Sequence, residues 1–350
     1  MTEVPGASLV EGPALAAQVE GWFTTHVEGC RPPLRLERIG EGRSNLTYLV
    51  EDSEEARWVL RRPPAGALLA SAHDVVREGR IMGALAGSPV PVPAILAVGA
   101  PGDPLDVPCI VMEHLDGLVI ADHERAALLD GSARRRVGAS LVEGLVAIHA
   151  VDVTAVGLGD LSRQEGYLAR QLRRWEEQWQ ATRGDRELPE LEEAHDLLVR
   201  HMPADAVPPS LVHGDFRLDN CVFDRAGGLV GVLDWELTAL GDPLVDLGLL
   251  LAYTNEATDP GPPLFRVPSS APGFPTRAEI VEMYGAASGR DVSSIDYYVV
   301  FAFWKLACIV QGVQRRYAAG DMGDVVVQED RVPRLAAAAR GAAARLAGGF

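Results

Sequence analysis

With 350 residues, 47% hydrophobic and 23% charged, the chain is long and apolar enough for two lobes sharing one cleft, and wholesale disorder is excluded. Its formal net charge of −17 works against nucleic acid, whose phosphates such a surface repels, while a cationic substrate stays permitted. Every basic residue but Lys305 is an arginine, and Cys30, Cys109, Cys221 and Cys308 lie too far apart for a zinc site or a disulfide framework.

The N-terminal MTEVPGASLVEG has no basic run ahead of an apolar core, so no signal peptide is expected. Leu15, Val19, Trp22, Phe23 and Val27 fall at helical spacing and predict an amphipathic helix over 13–27. Strands are predicted over 34–39, 46–51 and 57–61. The turn between the first two, Gly40 to Asn45, is glycine-rich, and such a turn lets backbone N–H groups approach phosphate oxygens. Hairpin turns also favour Gly and Asn, so this turn alone does not decide between the two readings. A helix over 72–85 and strands over 94–98 and 109–113 complete a five-stranded sheet. Beyond it, helices are predicted over 132–150, 163–182 and 188–201, with apolar residues three and four apart. Arg173 to Glu177 reads as a solvated, ion-paired helix face.

The stretch from Leu211 to Asp246 changes character. Short apolar runs alternate with polar clusters holding His213, Asp215, Asn220 and Asp234, which places polar side chains at strand ends. There they can meet: one carboxylate as base toward a hydroxyl, with an Asn oxygen and a second carboxylate on Mg²⁺. His213 and Asp215 as ligands of a hydrolytic metal is another reading, but no His-rich cluster follows. No G-x-S-x-G elbow of a serine hydrolase occurs. Pro-, Gly- and Ser-rich residues 255–276 predict a mobile loop on the substrate side. Helices follow over 276–287, 294–317 and 333–346. The apolar stretch 297–310 contains Lys305 and falls short of the roughly 20 residues a span needs, so a buried helix, a cytoplasmic protein and no membrane partner are expected.

HGDFRLDN and VLDWE resemble the catalytic loop and metal-binding segment of the aminoglycoside phosphotransferase family, relatives of the paired protein-kinase motifs. LRRPP, SAH, REGRIM and PVP further resemble the branch whose modules are fused in some proteins to acyl-CoA dehydrogenase domains. The resemblance spans essentially the whole chain. It implies an α+β, two-lobed, protein-kinase-like fold: a five-stranded antiparallel sheet plus helix over 1–113, a hinge over 114–117 and a mainly helical lobe over 118–350. It implies ATP and Mg²⁺ as cofactors and a small-molecule hydroxyl acceptor. Asp215 becomes the base, Asn220 and Asp234 the metal ligands, and His213 a support of the loop.

The same resemblance sets Gly42, Ser44 and Asn45 on the nucleotide, and the backbone around Glu113 and Leu115 on the adenine. The usual Lys of the third strand is missing. Arg61 or Arg62 could replace it, with Glu78 as helix partner, although an Arg before Pro63 at a strand end ordinarily faces solvent. Asp246 is expected to hydrogen-bond the catalytic loop, and His149 to be buried or capping. On the acceptor side stand Asp242, Lys305 and Arg316, the last two sharing one helix face about 16 Å apart. Cations there favour a hydroxy acid or its thioester over an aminoglycoside. A catalytically silent nucleotide-binding module and a true aminoglycoside kinase remain the alternatives.

Overall fold

The computed structural model describes residues 13–40, 45–64, 74–161, 166–204, 209–259, 264–265, 268–318 and 330–348. The chain divides into two compact units, Met1–Asp116 with Val230–Glu236, and Gly117–Leu229 with Leu237–Phe350. The division drawn from sequence put all of 118–350 in one lobe; here 230–236 joins the first unit instead.

In the first unit, helix α1 (Pro13–His26) precedes strands β1 (Arg35–Ile39), β2 (Leu46–Glu51) and β3 (Arg57–Arg62). Helix α2 (Val75–Leu85) then leads to β4 (Ile95–Gly99) and β5 (Cys109–Glu113). The sheet runs β1-β2-β3-β5-β4, and every pairing is antiparallel. Alternation decides what each face carries. Trp58 and Leu60 of β3, with Tyr48 and Val50 of β2, form one core with Leu15, Val19 and Phe23 of α1.

Arg62 continues that alternation and is 4% exposed, contrary to the solvent-facing position its neighbouring prolines suggest. It donates from Nη2 to the Tyr48 hydroxyl at 3.1 Å, and its guanidinium lies 5.5 Å from that ring. Arg61, one residue earlier, points to the opposite face, where it pairs in register with Ile110. Helix α2 crosses that face closely: a Cβ at Gly79 would stand 3.0 Å from Ile110 Cγ2. The next residue back in α2 is Glu78, so strand and helix register together bring it to Arg61.

In the second unit come the short α3 (His123–Ala127), α4 (Gly131–His149), α5 (Tyr167–Thr182) and α6 (Pro189–Arg200). Strands β6 (Ser210–Val212) and β7 (Cys221–Phe223) follow, then β8 (Leu229–Val232), which ends in the first unit, and β9 (Ala239–Gly241). Helices α7 (Leu244–Tyr253), α8 (Arg277–Ser288), α9 (Ile295–Ala318) and α10 (Val332–Gly348) complete the chain. Helix α3 and strand β9 have no counterpart among the elements expected from sequence. β9 pairs antiparallel with β6 and frames the catalytic-loop sequence.

Helix α9 is the axis of this unit and packs against α5, α6, α7 and α10. It is long and apolar enough to cross a membrane, yet 78% of its apolar window is buried inside the protein. Gly248 of α7 permits the closest approach: a Cβ there would lie 2.6 Å from the backbone of Tyr298 in α9. The described part of 255–276 makes specific hydrogen bonds. Asn255 donates from Nδ2 to the Phe265 carbonyl at 2.9 Å, and Arg277 Nη2 donates to Asp259 Oδ2 at 2.6 Å.

Candidate active site

The polar residues singled out by sequence fall into two clusters, one in each unit. In the first, Asp234 follows β8 with φ +67, a left-handed backbone that non-glycine residues seldom adopt and Asp tolerates better than most. Buried Trp235 anchors the turn by donating from Nε1 to the Val232 carbonyl at 3.0 Å. That backbone presents the Asp234 carboxylate to Arg61, with Nη2 2.5 Å from Oδ1. Arg61 also ion-pairs through Nε with Glu78 Oε2 at 2.9 Å. Of the two arginines considered for the missing lysine, Arg61 has the Glu78 partner and Arg62 lies on the other face.

Glu78 is 1% exposed, and burial pushes its carboxyl up to about 7, aided by the Asp234 charge and opposed by Arg61. Asn45 is buried and donates from Nδ2 to Glu236 Oε2 at 3.3 Å; its Oδ1 has no hydrogen-bond partner among the described residues. Arg77 donates to the Glu236 carbonyl at 3.2 Å. Glu236 is therefore a junction of this cluster that sequence reading passed over, although it sits in the VLDWE motif. Gly42 and Ser44 lie outside the described residues. The Glu113 N–H donates to the Ala94 carbonyl at 2.9 Å, and Leu115 packs over Gly231, where a Cβ would meet its Cδ1 at 2.2 Å.

In the second unit the catalytic-loop sequence hangs from one carboxylate. Asp246, fully buried in α7, accepts the His213 N–H at 2.6 Å and the Gly214 N–H at 2.8 Å. His149 at the end of α4 approaches the same group, Nε2 to Oδ2 3.3 Å, and meets the Tyr284 hydroxyl through Nδ1 at 2.8 Å. Burial alone would raise the Asp246 pKa, but the His149 hydrogen bond and charge, the His213 charge and the Gly214 N–H hold it below its ordinary value. Gly214 has φ +88, and a Cβ there would stand 2.6 Å from the Leu237 carbonyl oxygen, so only glycine fits. His213 in turn accepts the Asp215 N–H at Nδ1, 3.3 Å away.

Asp215 thus follows a backbone held by hydrogen bonds to Asp246 and His213. Asn220 donates from Nδ2 to the Asp215 carbonyl at 2.9 Å and to its Oδ2 at 3.1 Å. Arg217, to which sequence reading gave no role, lies with Nε 3.4 Å from Asp215 Oδ2 and Nη1 3.2 Å from Asp219 Oδ2. Its guanidinium sits 5.0 Å from the centre of the Tyr253 ring. Its place two residues after Asp215 was the available signal.

The three residues expected on the acceptor side separate. Asp242 accepts the Leu244 N–H at Oδ1, 3.0 Å away, and the Tyr298 hydroxyl at Oδ2, 2.6 Å away. With both oxygens engaged, it fastens α7 to α9 rather than waiting for a substrate. Arg316 is exposed near the end of α9, whereas Lys305 is 6% exposed, so the shared helix face does not give them a shared environment. Of Arg173 to Glu177, only Trp175 is buried; Arg173, Arg174 and Glu177 are exposed, as a solvated face requires.

Among the described residues no group of three His, Cys, Asp or Glu side chains could hold a metal. Asp234 and Asn220 nevertheless offer hard oxygen donors of the type Mg²⁺ takes, one in each unit.

This combination of an antiparallel five-stranded sheet with its Arg–Glu pair and a loop bearing Asp and Asn defines a kinase-like phosphotransferase. Residues 35–294 match the model of the phosphotransferase enzyme family (APH), and the chain belongs to that family. It is 34% identical over 320 residues to acyl-CoA dehydrogenase family member 10 of Mus musculus, covering 90% of this chain and 29% of that protein. It is 32% identical over 311 residues to family member 11 of Rattus norvegicus, covering 87% of this chain and 40% of that one. The chain thus spans well under half of these relatives. Among solved structures, a Ralstonia eutropha protein assigned to the aminoglycoside phosphotransferases superposes with TM-score 0.76 and 29% identity, covering 96% of this chain and 99% of that one. The enzyme APH(4)-Ia, solved with AMP-PNP and hygromycin B, shares the fold at TM-score 0.59 and 16% identity, covering 96% and 98%.

Proposed function

We propose that this phosphotransferase moves the γ-phosphoryl of ATP, with Mg²⁺, onto the hydroxyl of a small hydroxy acid or its thioester. The observation that carries the reading is the loop around Asp215, whose backbone is fixed through Asp246 and His213 and whose carboxylate stands beside Asn220 and Arg217. A base so held can take the acceptor's proton as its oxygen bonds the γ-phosphorus, while the bond from that phosphorus to the β-phosphate oxygen breaks and ADP leaves. Asp234 and Asn220 are the residues to hold Mg²⁺, which when bound neutralises phosphate charge. Arg61, fixed by Glu78, is the phosphate-facing cation in place of lysine, and Asn45 the described residue of the nucleotide-covering turn.

Two observations favour an acid or thioester over an aminoglycoside. The named relatives are acyl-CoA dehydrogenase family members, and acyl-CoA is a thioester. The only carboxylate expected on the acceptor side, Asp242, is bound up within the fold. The test is turnover of radiolabelled ATP against a panel of hydroxy acids and their thioesters. Asp215→Asn is expected to lower kcat by at least a hundredfold with ATP affinity within about threefold of wild type. Asp234→Asn should weaken Mg-ATP binding itself. Wild-type turnover by the Asp215 variant would refute the mechanism.

A further inference from the structure

Trp175 of α5 is flanked by two cations: Arg174 Cζ lies 5.0 Å from its ring centre and Lys305 Nζ 5.8 Å. The second is unusual. Lys305 is 6% exposed in the middle of α9, and among the described residues its ammonium has no hydrogen bond and no ion pair. An indole face alone offsets only about 0.5–2 kcal/mol of the several that burying an ammonium costs. Burial accordingly drags its pKa down, and Arg174 adds to that, while the fields of Asp215 and Asp246 pull it back up.

Neither carboxylate is paired with it: Asp246 accepts the His213 and Gly214 N–H groups and approaches His149, and Asp215 Oδ2 lies beside Asn220 and Arg217. The residue type matters as well, because every other cation in the chain is Arg. A compact ammonium can meet a single oxyanion in a narrow apolar setting where a planar fork would not fit. Position is fixed too: Tyr298, seven residues earlier and so on the same helix face, is locked by its bond to Asp242.

We propose that Lys305, with Trp175 and Arg174, is the subsite for an oxyanion carried by the acceptor: the carboxylate of a free hydroxy acid, or a phosphate on the carrier of its thioester. This rests on the phosphotransfer reading and adds to it the group that selects the acceptor. The substrate then supplies the counter-ion that no described residue provides.

Trp175 makes the site directly observable. Tryptophan emission is followed while sodium acetate or inorganic phosphate is titrated at constant ionic strength, with glycerol as the neutral control. A saturable change with acetate points to the carboxylate source, and with phosphate to the carrier. The change should vanish in Lys305→Met and in Trp175→Phe. Lys305→Met should also melt at a higher temperature than wild type, since it removes an unpaired buried charge, so its silence is not misfolding; Lys305→Gln replaces it in the comparison if it fails to fold. No saturable response in wild type, or an equal response in Lys305→Met, overturns the proposal. An intact response in a protein that turns over no Mg-ATP with any hydroxylated acceptor leaves the oxyanion site standing and refutes phosphotransfer instead.

Discussion

At the scale of residues, Arg61 and Arg62 show how one position along a strand reverses a side chain's role. Arg61 meets Glu78 and Asp234, while Arg62 is buried against Tyr48. Arg61→Ala should raise the KM for ATP and lower kcat by at least tenfold each. Arg62→Ala should leave both nearly unchanged but lower the melting temperature, because it strips packing and a hydrogen bond from Tyr48. Comparable kinetics in the two variants would dislodge Arg61 from the nucleotide. The buried Glu78 adds a pH dependence whose sign follows from its carboxyl rising from 4.5 to about 7. The folded state keeps that proton where the unfolded chain has lost it, so stability falls as pH climbs through this window, by at most about 3 kcal/mol, and levels off above it. Denaturant melts at pH 5 and pH 8 should show the decline in wild type and a flatter profile in Glu78→Gln.

At the scale of elements, the sheet and most helices were legible because their signals are local. Period-two runs such as Leu46–Glu51 and spacings of three and four, as at Leu15, Val19 and Phe23, need no knowledge of the rest of the chain. The three residues of β9 gave no such signal; they are a strand only because β6, some thirty residues earlier, offers a partner. The candidate site divides the same way. HGDFRLDN and VLDWE announced Asp215, Asn220 and Asp234, but nothing local said that Arg62 is buried, that both Asp242 oxygens are engaged, or that Glu236 receives Asn45. Those facts depend on pairing at long sequence separation. The contact of α7 with α9 is likewise invisible until Gly248 is seen against Tyr298. Gly248→Ala would push a methyl into backbone that cannot swing aside, at a cost of roughly 1–3 kcal/mol. A melting temperature lowered by several degrees is expected, and an unchanged one would show that α7 can shift.

For the molecule as a whole, a net charge of −17 and the oxyanion subsite proposed at Lys305 would act on different ranges. The general field attracts polycations over the surface, whereas recognition of an acceptor depends on the few groups that touch it. Kanamycin-like compounds should therefore adsorb weakly, lose that affinity as salt approaches about 0.15 M, and be phosphorylated far less efficiently than hydroxy acids. Salt-independent binding with efficient turnover of such a compound would reverse the acceptor assignment.

The excursion of Val230–Glu236 into the first unit bears on how such a protein can be recombined. The chain passes between its units three times, after Asp116, after Leu229 and after Glu236. A single cut at the first crossing gives an N-terminal fragment lacking Asp234 and a C-terminal fragment carrying seven residues of its neighbour's fold. Swapping acceptor preference between family members by exchanging halves thus calls for three splice points, with residues 230–236 inherited from the parent that supplies Arg61 and Glu78.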